Sequence, residues 1–99
     1  MNEIDFLQEC LNIPSFSGDE TAFSQFLSEK MAELGFEVRC DPAGNTIGQI
    51  GDGEPVILLS SHLDTVIGTI PVEIKDEKLY GRGAIDDKGM LAANIIYKF

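Results

Sequence analysis

An α/β fold, with helices flanking strands, is what these 99 residues predict. Three observations carry it. Apolar residues recur at helical spacing near both ends and around Leu27. Between those stretches they alternate with polar residues or run unbroken, as strands do. Glycine, proline and asparagine clusters mark the junctions.

Ile4, Leu7 and Leu11 predict a short first helix. It must stop before Ile13-Pro14, because proline drives its preceding residue out of the helical region. Ser17 to Glu20 has the pattern of a capping box, with Ser17 accepting a free N–H and Glu20 reaching back. The helix that follows, about Asp19 to Leu34, places Phe23, Phe26, Leu27, Met31 and Leu34 on one stripe and Gly35 at its C-terminal cap. Phe36, Val38 and Cys40 alternate with Glu37 and Arg39 as in a half-buried strand. Asp41 to Asn45 is turn chemistry, Thr46 to Ile50 a second strand, and Gly51-Asp52-Gly53 a further turn. Val56 to Leu59 runs apolar without alternation, which predicts a strand buried on both faces. Pro71 to Ile74 and Lys78 to Tyr80 predict a hairpin around Lys75-Asp76-Glu77. Asp87 to Phe99 reads as a helix with Leu91, Ile95 and Phe99 on one side. The sequence stops on that apolar face without a polar tail, the pattern expected of the front part of a longer chain.

Composition narrows the function. A formal charge of −10 leaves no basic face for phosphate, which argues against a nucleic-acid partner. No apolar run is long enough to cross a bilayer, and the acidic start lacks a signal peptide's basic and apolar regions; a cytoplasmic protein is expected. Cys10 and Cys40 lie far apart with no CxxC pairing, which excludes zinc knuckles and predicts two buried thiols.

Two clusters carry chemistry. The sole histidine, His62, directly follows the apolar run in Ser60-Ser61-His62-Leu63-Asp64-Thr65, the end of a strand where open α/β sheets place their sites. Residues two apart in an extended segment face the same way, so His62 and Asp64 are expected to look into one site. Imidazole is a common zinc ligand, and a neighbouring carboxylate can orient it. Alone, His62 is equally compatible with an ordinary hydrogen-bonded histidine. The second cluster is Gly81-Arg82-Gly83-Ala84-Ile85-Asp86-Asp87-Lys88-Gly89. A phosphate loop would have Gly-Lys followed by Ser or Thr, and here the order is reversed. A dinucleotide fingerprint would want a glycine where Asp86 stands. A calcium loop's ladder of oxygen ligands is missing. A solvated acidic turn and a cation-binding turn both remain open for this cluster in isolation.

Taken together, Ser61-His62-Leu63-Asp64-Thr65-Val66 and Tyr80 to Gly89 resemble the M20 family of metallopeptidases and deacylases, and Ile13-Pro14-Ser15 with Ser17-Gly18-Asp19-Glu20 resembles its opening. The resemblance implies the N-terminal part of a zinc-peptidase-like catalytic domain, a central mixed sheet flanked by helices, over residues 1–99. It implies two divalent metal ions, zinc or cobalt, with His62 ligating one and Asp86 bridging both. It makes Asp64 the active-site residue behind His62 and gives Asp87 a structural or hydrogen-bonding role. It places a cis peptide at Asp86–Asp87. A Glu-Glu pair with the general base, the remaining ligands and a lid or dimerisation domain are expected beyond Phe99, in a homodimeric parent. The implied reaction is hydrolysis of an amide bond in an N-acyl amino acid or small peptide. Val66 to Val72 lacks the tryptophan and double proline common in many members, which resembles the lysine-biosynthesis branch and its carrier-protein substrates; Asp86 to Gly89 also resembles the dipeptidase branch. A non-catalytic binding module that keeps the fold is the rival from another class. The 99 residues alone are expected to be inactive.

Overall fold

The computed structural model describes residues 2–97. Asn2 starts the first helix by accepting the Asp5 N–H at 2.8 Å. That helix, α1 (Glu3–Asn12), ends where Pro14 requires. Helix α2 (Thr21–Glu33) buries Phe23, Leu27 and Met31 on the expected stripe, with Phe26 and Leu34 packed at its margin. Gly35 closes it at φ +95°, a left-handed conformation that glycine adopts without a Cβ clash. The capping box does not form. Glu20 itself is the α2 cap residue and accepts from the Gly18 N–H, while the Ser17 hydroxyl bonds elsewhere.

Strands β1 (Glu37–Cys40) and β2 (Thr46–Gln49) pair antiparallel, with Val38 opposite Gly48. Asp41 builds the turn between them: its carboxylate accepts from the backbone N–H groups of Ala43 and Asn45 and from the Asn45 amide. Asn45 is the first cause holding Asp41 below the usual carboxylate range. A second antiparallel pair, β3 (Glu73–Lys75) and β4 (Lys78–Tyr80), turns through Asp76 and Glu77 as the hairpin pattern requires. Helix α3 (Lys88–Ile96) then buries Leu91, Ala92 and Ile95; the expected role of Phe99 lies outside the described residues.

The core sits where the three helices meet. Phe6 and Cys10 of α1, Phe23, Leu27 and Met31 of α2, and Leu91, Ala92 and Ile95 of α3 form one cluster. Phe26 stacks against both Phe6 and Phe23, with ring centroids 6.1 and 6.3 Å away. The α/β class holds, with helices and small antiparallel sheets together. Two expectations are corrected. Cys10 is buried but Cys40 is exposed, because it closes β1 beside the turn and is not part of the helical cluster. Val56 to Leu59 is not a strand buried on both faces: Val56 and Leu58 are 86% and 87% exposed and unpaired. A strand needs ladder partners at its edges, and among the described residues β1–β2 and β3–β4 pair only with each other.

Candidate functional site

Residues 60–65 and 81–88 meet beside the loop between α1 and α2. The sequence 13–17 that joins those helices runs next to residues 63–65, with a parallel bridge between Phe16 and Thr65. Ser15, fully buried, donates its hydroxyl to the Leu63 carbonyl at 2.8 Å. Its own carbonyl accepts the Thr65 N–H at 2.9 Å, and the Ser17 N–H returns to the Thr65 carbonyl at 3.2 Å. The segment bearing His62 and Asp64 is thus fixed, by two backbone bonds and the Ser15 hydroxyl, to the loop between α1 and α2.

On the other side, the glycine-rich turn is shaped by close approaches. Gly83 has φ +86°, and a Cβ there would stand 2.7 Å from the Thr65 methyl. A Cβ at Gly89 would strike the Ala84 carbonyl. The Asp86–Asp87 peptide is cis. Lys88 plunges into the core and donates to the carbonyls of Cys10 and Ile13, both at 2.7 Å, with its ammonium 4.2 Å above the Phe23 ring. Arg82 donates to the Gly68 carbonyl at 3.0 Å, fastening residues 66–70 to the same turn.

His62 stands between these walls. Its backbone N–H donates to Asp87 Oδ2 at 3.2 Å. Nε2 lies 3.0 Å from Asp86 Oδ1. Nδ1 lies 2.9 Å from the Asp64 carbonyl and 3.1 Å from Asp64 Oδ1. The Asp64 carboxylate does not point with the ring toward Asp86; it sits behind the ring and accepts the Ser17 hydroxyl at 2.6 Å through Oδ2. The Asp86 carboxylate beside Nε2 is the first cause raising the His62 pKa, with the Asp64 carbonyl and the charges of Asp87 and Asp64 adding to it against partial burial. The Ser17 hydroxyl is the first cause lowering that of Asp64. An open cleft of about 750 Å³ faces His62 and Asp86, with Val66, Ile70, Leu79 and Tyr80 among its apolar walls.

Every partner of the ring nitrogens is an acceptor. A neutral imidazole has one N–H and cannot satisfy both sides. Nδ1, facing a carbonyl and a carboxylate, must donate. Nε2 then either carries a second proton toward Asp86 or shares a cation with it. Imidazole nitrogen and carboxylate oxygen fit a borderline divalent ion in donor chemistry. They supply part of a ligand set: among the described residues no group of three or more His, Cys, Asp and Glu side chains is arranged to hold an ion.

Sequence reasoning brought His62, Asp64 and Asp86 into one neighbourhood and missed what holds them there. Ser17 offered a capping pattern with Glu20, while Ser15 and Lys88 offered no local sign of the bonds they make. The partners of both lie far along the chain, where no local pattern reaches.

Residues 58–97 match the model of a family described as Peptidase family M20/M25/M40. A LysW-lysine hydrolase of Deinococcus radiodurans is 41% identical over 92% of this chain and 25% of its own length. Two proteins named as putative LysW-lysine/LysW-ornithine hydrolases are similar as well. That of Pyrococcus abyssi is 46% identical over 92% of this chain and 27% of its own length. That of Pyrobaculum aerophilum is 40% identical over 90% of this chain and 26% of its own length. The chain spans about a quarter of the length of these relatives.

Proposed function

The chain belongs to peptidase family M20/M25/M40, and from that membership we propose that the full-length protein is a metal-dependent hydrolase cleaving the amide bond between lysine or ornithine and a LysW partner. The names of the similar proteins support that substrate. Residues 1–99 would then form the front part of the catalytic domain. The rest of that domain and a lid or dimerisation domain would follow, in a cytoplasmic homodimer. No helix among the described residues is long and apolar enough to cross a membrane.

The observation that carries the metal is the unmatched acceptor pair at His62, with Nδ1 already committed and Nε2 aimed at a carboxylate. His62 would ligate one ion and Asp86 would bridge two, zinc or cobalt. Bound divalent metal lowers the pKa of water and polarises a substrate carbonyl. The chain's own residues prepare the site for it. Asp64 keeps the Nδ1 proton in place, which leaves the Nε2 lone pair available and the ring more basic. Asp87 holds the His62 backbone. Val66, Ile70 and Leu79 give one side of the site an apolar wall. The proton-shuttling glutamate belongs to the sequence expected beyond Phe99.

Elemental analysis of the full-length protein tests the assignment. His62→Ala and Asp86→Ala should each cut metal content sharply, and Asp64→Ala should lower hydrolysis of LysW-linked lysine more than it lowers metal content. Unchanged metal stoichiometry in both ligand variants would sink the site. Intact metal with no turnover of LysW-linked lysine or ornithine would overturn the substrate and leave the peptidase and binding-module readings.

A further inference from the structure

We infer that Ser17 is a positioning residue for His62, acting through the Asp64 carboxylate. The inference rests on the reading of His62 as a metal ligand and adds a residue that reading does not contain. Four hydrogen bonds join the loop before α2 to residues 63–65: Ser15 Oγ to the Leu63 carbonyl, Thr65 N–H to the Ser15 carbonyl, Ser17 N–H to the Thr65 carbonyl, and Ser17 Oγ to Asp64 Oδ2. The first three fix the backbone register without the Ser17 hydroxyl. The fourth does something they cannot: it holds Oδ2 of a carboxylate that is 42% exposed and whose other oxygen faces His62 Nδ1.

The direction of that carboxylate decides what stands behind the ring. With Oδ2 held by Ser17, Oδ1 lies 3.1 Å from His62 Nδ1. The Asp64 carbonyl, 2.9 Å from Nδ1, is enough to keep the proton on that nitrogen. What the carboxylate adds is charge, and a charge-assisted hydrogen bond is stronger than a neutral one. Ser17 therefore sets how firmly the ring is gripped and how much electron density reaches Nε2, without touching the ligand atom. Ser17 also stands outside α2 and caps nothing, so its hydroxyl has no competing helical role.

The experiment uses the full-length protein with Ser17→Ala and Ser17→Thr. In metal-free protein, the His62 Nδ1 proton should move upfield by NMR in Ser17→Ala and return toward its original position in Ser17→Thr. The melting temperature should change little in either. Zinc affinity, by competition with a chelator, should fall about 3- to 10-fold in Ser17→Ala, below the 10- to 100-fold typical of a residue bonded directly to a ligand. Turnover should show the loss in kcat with KM unchanged. An unmoved Nδ1 proton in Ser17→Ala overturns the inference. So does a fall in melting temperature shared by both variants with no rescue by threonine, since that is a packing role. The metal-free signal does not depend on the metal assignment. A moved proton with His62→Ala retaining its zinc would instead overturn the function proposed above.

Discussion

Lys88 is a charged side chain with 2% of its surface exposed, and each direction its ammonium can donate has a partner. The Cys10 and Ile13 carbonyls accept two of its N–H groups, and the third lies over the Phe23 ring. Burial nevertheless pushes Lys88 down to about 8, since a buried ammonium loses its hydration. The folded chain therefore binds fewer protons than the unfolded chain from about pH 8 up to the ordinary lysine value of 10.5. Stability contributed by this group rises with pH across that window. Cys10, pushed up to about 12 by burial, works the other way above its ordinary 9.0, so the clean interval is pH 8 to 9. Lys88→Met should erase the rise in that interval. It should also cost about 1–3 kcal/mol at pH 7, because the half-buried Ile13 carbonyl loses its donor. Urea denaturation of the full-length protein at pH 7, 8 and 9 measures both.

At the scale of the element, the β3–β4 hairpin turns through two residues that are both left-handed, Asp76 at φ 52° and Glu77 at φ 63°. Such two-residue turns match the twist of the strands and favour Asn-Gly or Asp-Gly. Glu77 carries a Cβ in a conformation that disfavours it by roughly 1–2 kcal/mol. Glycine would remove that cost and return about 0.4–1 kcal/mol through the looser unfolded chain. Glu77→Gly should therefore stabilise the hairpin by about 0.5–1 kcal/mol. Slower amide exchange across β3 and β4 in the variant is the expected result, and unchanged exchange would show that the turn is not limiting. The hairpin and α2 were legible in the sequence because both are local: an apolar stripe at period 3.6, a turn between two short apolar runs. His62 and Asp86 were legible as chemistry because each sits in an unusual cluster of residue types. Ser17 departs from the capping pattern because its hydroxyl bonds a carboxylate 47 residues away and no N–H or C=O of α2. Cys40 is exposed where burial is expected, because alternation says which way a side chain points and not whether anything covers it.

For the whole molecule, the decisive feature is apolar surface without cover. Val56 to Leu59, Val66, Ile67 and Ile85 are all exposed, and a groove of about 860 Å³ runs between residues 51–59 and the helices, floored by Leu27, Met31, Leu91 and Ile95. An unbroken run such as Val56 to Leu59 is what a strand covered on both faces looks like, and here it has neither face nor edge covered. An apolar run states which side chains water disfavours and not whether anything covers them, and among the described residues this run stays exposed. Expressed alone, residues 1–99 should retain the three-helix core and leave this run open. They should bind a hydrophobic dye, self-associate as concentration rises, exchange the amides of residues 56–59 within the dead time of the measurement, and show no hydrolase activity. In the full-length protein the same amides should be protected and the dye signal lost. A sharp cooperative melt of a monomeric 99-residue chain, without dye binding, would show instead that the helices and the two ribbons close this surface unaided.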